Sequence, residues 1–441
     1  MEDQTLAILM GVGFLCMLFA GFPVAVALMI SGFVFGYLGF GMMLFNLLPL
    51  RIYGGVLTNY TLMAVPLFVF MGVMLERSRI AEDLLDIIGH LCGPLPGGMG
   101  LSIVVVGVLM GASTGIVGAT VVTLGLLTLP VFLKRNYNKA MACGVICGSG
   151  TLGQIIPPSL VLILLADILA ESVGTIFAAA MIPGLVLAAI YFVYVLVVGA
   201  LRPDWAPPIP QEERDLLSRR KLAEQTLKVV VPPIGLILAV LGSIIGGIAA
   251  PTEAASMGAA GSLLIVAVSG RLNLETLFGT LKNTLNITAM IFFILIGAQA
   301  FSLSFRGLGG DQLVEQLFEF VPGGVMADLI FMLVIIFVLG FFLEWIEISY
   351  IVMPLFVPIF RDAGVDMVWM AILVGITLQT TFLTPPVGWS LFFLKGVAPP
   401  EVSSRDIYVG VIPFVLLQIV AVVLVFLYPE IALWLPRAIG W

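Results

Sequence analysis

Apolar runs of about 20 residues, the length a helix needs to cross the hydrocarbon of a bilayer, recur from one end of this chain to the other. That one pattern removes most folds from consideration. Charged residues make up only 10% of the 441 positions, against roughly 25% in soluble domains. A water-facing surface cannot be assembled from so few, so the apolar residues must face lipid as well as one another. The fold class expected is an all-α polytopic membrane protein. The opening "MEDQ" leads into an apolar run without a basic segment or a small-residue cleavage site, so the first run is expected to be a retained span.

Several function classes lose their chemistry at once. His90 is the sole histidine, which leaves histidine-based metal sites and Ser-His-Asp triads without parts. Cys16, Cys92, Cys143 and Cys147 lie in or beside apolar runs and read as small buried hydrophobes. No phosphate-binding G-x-x-x-x-G-K-[ST] string occurs. The net charge of −7 offers nothing to a nucleic acid. No enzyme, no transition-metal site and no nucleic-acid partner is expected.

The chain repeats itself. "CGPLPGGMGL" at 92–101 is echoed by "EFVPGGVMAD" at 319–328, and "GQIIPPSLVLIL" at 153–164 by "TTFLTPPVGWSLFF" at 380–393. Proline landmarks keep nearly one offset: 226 from Pro96 to Pro322, 228 from Pro157 to Pro385 and from Pro23 to Pro251, and 230 from Pro183 to Pro413. A duplicated unit explains this, with halves at 1–201 and 229–441 joined by the Pro-rich, charged linker 202–228, which carries a short amphipathic helix. In the first half, spans are expected near 5–20, 22–40 and 60–76, then an arm near 79–92 and a re-entrant hairpin near 97–133. A broken span near 138–168 and a last span near 174–199 complete it. The second half matches with spans near 229–247, 251–268 and 284–303, an arm near 307–320, a hairpin near 324–360, a broken span near 366–396 and a span near 407–428. Ten transmembrane helices and two re-entrant hairpins result.

Five crossings per half is an odd number, so the second repeat runs inverted. With the N-terminus outside, fifteen of the 19 Lys and Arg fall inside and only Arg51, Arg306, Arg361 and Arg437 outside, a strong positive-inside bias. Inverted-topology repeats with interrupted helices are the signature of secondary transporters.

The interruptions are where chemistry is expected. "GASTGIVGAT" (111–120) turns the first hairpin and offers Ser113 and Thr114, although Gly107, Gly111 and Gly115 also suit close helix packing. In "GSGTLGQIIPPS" (148–159), Pro157 and Pro158 lack N–H groups and so free the carbonyls of Gly153 and Gln154. Beside Gly148, Ser149 and Thr151 these oxygens suit a hard cation such as Na⁺. The second half repeats the arrangement: Pro385 and Pro386 free the carbonyls of Thr381 and Phe382, near Thr377, Thr380 and Thr384. Glu344 and Glu347, in "FFLEWIEISY", are carboxylates at membrane depth, expected at the site. Glu253 lies near a span end, where solvation and function compete evenly. No Lys or Arg falls in the membrane interior. An anionic substrate would therefore be met by helix N-termini, hydroxyls and bound cations.

At "LPGGMGLSIVVVGVLMGASTGIVGATVV", "GSGTLGQIIPPS", "APTEAAS", "FFLEWIEISYIVMPLFVPI" and "TPPVGWSLFFLKG" the chain resembles the large membrane subunit of tripartite ATP-independent periplasmic (TRAP) transporters. The strings cover nearly the whole length in the family's order. The resemblance implies a multi-pass protein of a bacterial inner membrane, with a periplasmic N-terminus, that imports a small organic acid by Na⁺-coupled, elevator-type movement. It implies two partners, a small four-helix membrane subunit and a periplasmic substrate-binding protein, and no cofactor beyond the coupling ion. Its cation sites carry over to Ser113, Thr114, Gly148, Ser149 and Thr151, and to Glu344, Thr377, Thr380 and Thr381. Substrate contacts are expected beside them, at Gly115, Gln154, Pro157, Trp345, Glu347, Thr384 and Pro385. The second tip departs from many sialic-acid-type members, with "EWIEI" in place of an Asp-containing string. A self-sufficient sodium–anion symporter of similar architecture is the alternative, and an ion channel a more distant one. Replacing Ser149 by Ala and Thr151 by Val together is expected to weaken cation coupling and leave folding intact.

Overall fold

The computed structural model describes residues 2–208 and 219–441, with the side chains of Glu2, Asp3, Thr114 and Arg219 outside that description. Residues 209–218 of the expected linker, Arg214 among them, also lie outside it. Every regular element among the described residues is helical, as a chain with no water to satisfy its backbone in the bilayer requires.

The first half runs α1 (Glu2–Phe19), α2 (Val24–Phe40), α3 (Met43–Ile52), α4 (Ala64–Arg77), α5 (Ile80–Cys92), α6 (Gly98–Thr114), α7 (Val117–Lys134), α8 (Lys139–Thr151), α9 (Leu160–Ile168) and α10 (Val173–Leu201). The linker contributes α11 (Arg219–Val229). The second half runs α12 (Val231–Ile245), α13 (Pro251–Val268), α14 (Leu274–Gly307), α15 (Gly310–Glu319) and α16 (Val325–Leu339), then α17 (Met353–Asp362), α18 (Met367–Leu383), α19 (Trp389–Val397), α20 (Ser404–Leu427) and α21 (Glu430–Ala438). The helices α5 to α9 and α15 to α19 thus lie close to the bounds expected for the arms, hairpins and broken spans.

The differences are instructive. Residues 43–57, between the spans expected at 22–40 and 60–76, form α3 and a π turn (Tyr53–Leu57), bent by 54° against the helical segment 61–77. Asn46, Pro49 and Arg51 dilute the apolar run there enough to hide it. The counterpart in the second half, α14, is one continuous helix of 34 residues, longer than the span expected at 284–303. The terminal helix α21 was not anticipated. By length and composition alone, six helices suffice to cross a membrane among the described residues, or seven if the bent pair is one span. The expected ten include α1 and α2, which are shorter, and two broken spans each built from two short helices. Conversely α7, expected to be one arm of a hairpin, is itself long enough.

Two clusters of helix packing stand out, joined where α4 packs against α6. In one, α14 lies along α2 and α13 along α4, with Ser304 donating to the Gly32 carbonyl at 2.7 Å. In the other, α8 is central, flanked by α6, α7 and α20, with α18 against α20 and α19 against α7. The closest approach in the second group joins Gly144 to Gly410, where a Cβ on Gly144 would stand 2.0 Å from the Gly410 carbonyl oxygen.

Candidate functional site: two hairpin tips and two broken helices

The first hairpin reverses at Gly115, whose φ of +60° is left-handed backbone that glycine adopts without strain. Ser113 precedes it, buried, with its hydroxyl donating to the Met110 carbonyl at 2.9 Å. Thr114 ends α6, and its side chain lies outside the described residues. The packing role of this segment is real: Gly111 meets the backbone of Gly153 so closely that a Cβ would stand 2.6 Å away.

The first broken helix ends α8 at Thr151, continues as a tight turn (Leu152–Gln154) and resumes at Leu160. Pro157–Pro158 is a cis peptide bond, as is Pro385–Pro386 in the second break. Of the freed carbonyls, that of Gln154 accepts the Ser159 hydroxyl at 2.6 Å. Its equivalent, Phe382, accepts the Ser390 hydroxyl at 2.6 Å. Both breaks therefore carry a serine that occupies one lone pair of a buried carbonyl freed from the helix, where the sequence suggested vacant oxygens. Gly148 packs on the Phe414 ring, and its carbonyl accepts the Thr151 hydroxyl at 2.8 Å. Ser149 is fully buried and its hydroxyl has no partner; both polar atoms of buried Gln154 are likewise unpaired.

In the second half, α18 ends at Leu383 and the chain resumes at Trp389. The hydroxyls of Thr377, Thr380, Thr381 and Thr384 all donate back to carbonyls of their own segment at 2.7–2.8 Å. Thr377 and Thr380 line a separate apolar groove of about 490 Å³ between α16, α18 and α20. They are not brought to the hairpin tip. Thr381 is, because Gly340 at the end of α16 packs directly on it, as Gly111 packs on Gly153 in the first half. Glu344 precedes the turn Trp345–Glu347, which passes through a π turn (Ile348–Val352) into α17. Glu347 is buried with one carboxylate oxygen unpaired.

The two tips face one space. Gly115 of the first and Glu344 and Trp345 of the second line one cavity of about 160 Å³, together with Leu160, Phe382 and Phe393 and with Ile287, Met290 and Ile291 of α14. Of the residues expected to touch substrate, Gly115 and Trp345 line it, whereas Gln154, Pro157, Glu347, Thr384 and Pro385 do not. Glu344, expected as a cation ligand, faces the same space.

Sequence reasoning missed two polar clusters. Thr151 accepts from the amides of Gln379 and Gln418, each at 3.3 Å, and the Tyr191 hydroxyl faces Thr151 and Gln418. All four side chains are buried. Asp167, at the end of α9, accepts from Asn59 at 2.5 Å and from Tyr350 of the second hairpin at 3.0 Å. Asp167 was discoverable, being a carboxylate closing the apolar run "LVLILLAD". The glutamines carry no charge to flag them.

With this geometry in view, a family model described as "Tripartite ATP-independent periplasmic transporter, DctM component" matches residues 11–431. The chain belongs to that family. This permease is similar to the "C4-dicarboxylate TRAP transporter large permease protein DctM" of Pseudomonas aeruginosa, 29% identical over 87% of each chain. It is similar to the "Ectoine TRAP transporter large permease protein TeaC" of Halomonas elongata, 28% identical over 95% of this chain and 96% of that one. It also matches the "Sialic acid TRAP transporter permease protein SiaT" of Haemophilus influenzae, 25% identical over 86% of this chain but only 60% of that protein. Among solved structures, the Alcanivorax borkumensis YdaH transporter superposes with a TM-score of 0.63 at 15% identity, covering 90% of both chains. That likeness extends the fold, a multi-pass helical membrane architecture, to this permease.

Proposed function

We propose that this permease is the translocating subunit of a Na⁺-driven importer of a small organic acid, working in a bacterial inner membrane with its N-terminus in the periplasm. The observation that carries the reading is the single cavity in which both hairpin tips face one helix, α14, of the other packing cluster. A site built that way changes its access when the hairpin group slides past α14, which is the elevator movement. In this reading 1–201 and 229–441 are inverted repeats joined by a cytoplasmic linker at 202–228. The repeated Gly-on-break contacts, Gly111 on Gly153 and Gly340 on Thr381, support the duplication. Coupling ions sit near the unpaired Ser149 hydroxyl on one side and near Glu344 and Thr381 on the other. The substrate is handed over by a periplasmic binding protein, and a small four-helix membrane subunit braces the outer group. SiaT, which this chain spans only in part, leaves room for such a subunit within one polypeptide.

The test is uptake by the reconstituted chain with those partners under an imposed sodium gradient. Accumulation should collapse when K⁺ replaces Na⁺ on both sides. Equal uptake in K⁺ refutes the coupling, and transport by the purified chain alone favours a self-sufficient symporter.

A further inference from the structure

Asp167 is a carboxylate that the reading above leaves unused, and no cation is paired with it. It sits half-buried at the end of α9 and takes part in none of the ion pairs among the described residues. Both of its oxygens are nevertheless engaged: Oδ1 accepts from the Asn59 amide at 2.5 Å and Oδ2 from the Tyr350 hydroxyl at 3.0 Å. The three residues come from three segments, the turn before α4, the first broken helix and the second hairpin. Resting on the reading in which the space between the tips is the site that moves, we propose that Asp167 is a positioning residue for transport. Its bond to Tyr350 fastens the second hairpin as the movable wall of that space.

The bond is well placed for this. Trp345 and Ile346 line the cavity, and Tyr350 lies about one helical turn beyond Ile346. Helix α9 begins at Leu160, another lining residue, and reaches Asp167 about two turns later. One short helix thus carries both a wall of the cavity and the anchor for a second wall. The two hairpins are held differently. The return limb of the first, α7, lies along both α8 and α19. The return limb of the second, the π turn and α17, meets the broken helices at α9, where Arg361 also donates to the Leu169 carbonyl. A limb with so little packing along its own cluster depends on the bonds that end there. The Tyr350 side chain is buried, so its hydroxyl goes unpaired if the carboxylate is removed. In the proposed repeat, the offset of 228 takes Asp167 to Lys395, which is exposed, so the first hairpin has no equivalent carboxylate. Asn59 belongs to the outer cluster and steadies Asp167 only until the hairpin cluster slides.

The experiment is thiol labelling of the full chain in lipid nanodiscs with a membrane-impermeant methanethiosulfonate reagent. Ile346→Cys, in a background without the four native cysteines, reports on the cavity wall. A second background that keeps only Cys147, fully buried beside Ser390, reports on general loosening of the fold. Tyr350→Phe keeps the ring and its packing. It should raise the labelling rate at position 346 about tenfold, the worth of one charge-assisted bond between helices, while Cys147 labels at the parent rate. Asp167→Ala should act alike, and combining it with Tyr350→Phe should bring no further rise, because both remove the same bond. An unchanged rate at position 346 overturns the proposal. So does an equal rise at Cys147, which would make the bond a general support of the fold, and so does an additive double variant. None of these readouts involves sodium or a solute, so the import reading stands or falls separately, on the uptake test.

Discussion

Replacing Thr151 by valine keeps the shape of the side chain and removes one oxygen on which three buried residues depend. The hydroxyl donates to Gly148 at 2.8 Å and accepts from Gln379 and Gln418 at 3.3 Å each. After the change both amide N–H pairs face a methyl group, and the amide oxygens of these glutamines are already unpaired. In soluble proteins an unsatisfied buried group costs roughly 1–3 kcal/mol. Hydrogen bonds between transmembrane helices are worth less, about 0.6 kcal/mol on average and at most about 1.7. At 3.3 Å both bonds are long. The lower scale therefore governs, and two lost acceptor contacts come to roughly 1–3 kcal/mol. For a chain of this size that is roughly 1–3 °C in melting temperature. The sequence alone leads to the expectation that the double change Ser149→Ala and Thr151→Val leaves folding intact, because it does not show the two glutamines on the Thr151 hydroxyl.

The assay is thermal unfolding of the purified chain in nanodiscs. Thr151→Ser, which restores the oxygen, should melt within about 0.5 °C of the parent. Gln379→Leu made on the Thr151→Val background should cost less than it does alone, because one orphaned amide disappears with it. A Thr151→Val protein as stable as the parent refutes the argument. So does a Thr151→Ser protein as weak as Thr151→Val, since the methyl rather than the hydroxyl would then matter.

Ser149→Ala breaks no hydrogen bond made by its hydroxyl, so stability should hold within about 0.5 kcal/mol while the sodium concentration for half-maximal uptake rises; an unchanged sodium response moves the ion elsewhere. Gly144→Ala should cost about 3 kcal/mol by forcing α8 off α20, seen as a lower melting temperature; an unperturbed variant would mean the close approach to Gly410 is easily relieved. Cysteines at the exposed positions Lys134 and Asp362, in a background without the four native cysteines, should react with an impermeant thiol reagent from opposite faces, Lys134 in inverted vesicles and Asp362 in intact cells. Labelling of both from one side would end the inverted-repeat proposal.

The sequence made the breaks legible because they rest on backbone chemistry. Two Pro-Pro pairs and a glycine turn disrupt a helix wherever they stand, so α8, α9, α18 and α19 start and stop close to expectation. The clusters were not legible because they are products of packing between distant helices. Thr151 meets glutamines 228 and 267 positions away, and nothing local to any of the three announces the encounter. One hint was present, however. Gln379 stands 228 residues after Thr151, the same offset as Pro157 to Pro385. In the proposed repeat, a residue that touches its own equivalent lies beside the axis relating the two copies. The Thr151–Gln379 contact then holds the broken helices to each other and has no reason to change during transport. Contacts that the proposed movement must break come instead from the outer group: Asn59 to Asp167 at 2.5 Å, Arg306 to the Pro354 carbonyl at 2.5 Å and Glu76 to Thr123 at 3.4 Å. Each of these links a residue of α4, α14 or the turn before α4 to a hairpin or a broken helix, and all three are only part-buried. Water can replace such bonds as they open. The fully buried cluster has no such replacement, which is why it belongs inside the moving group and not at its boundary.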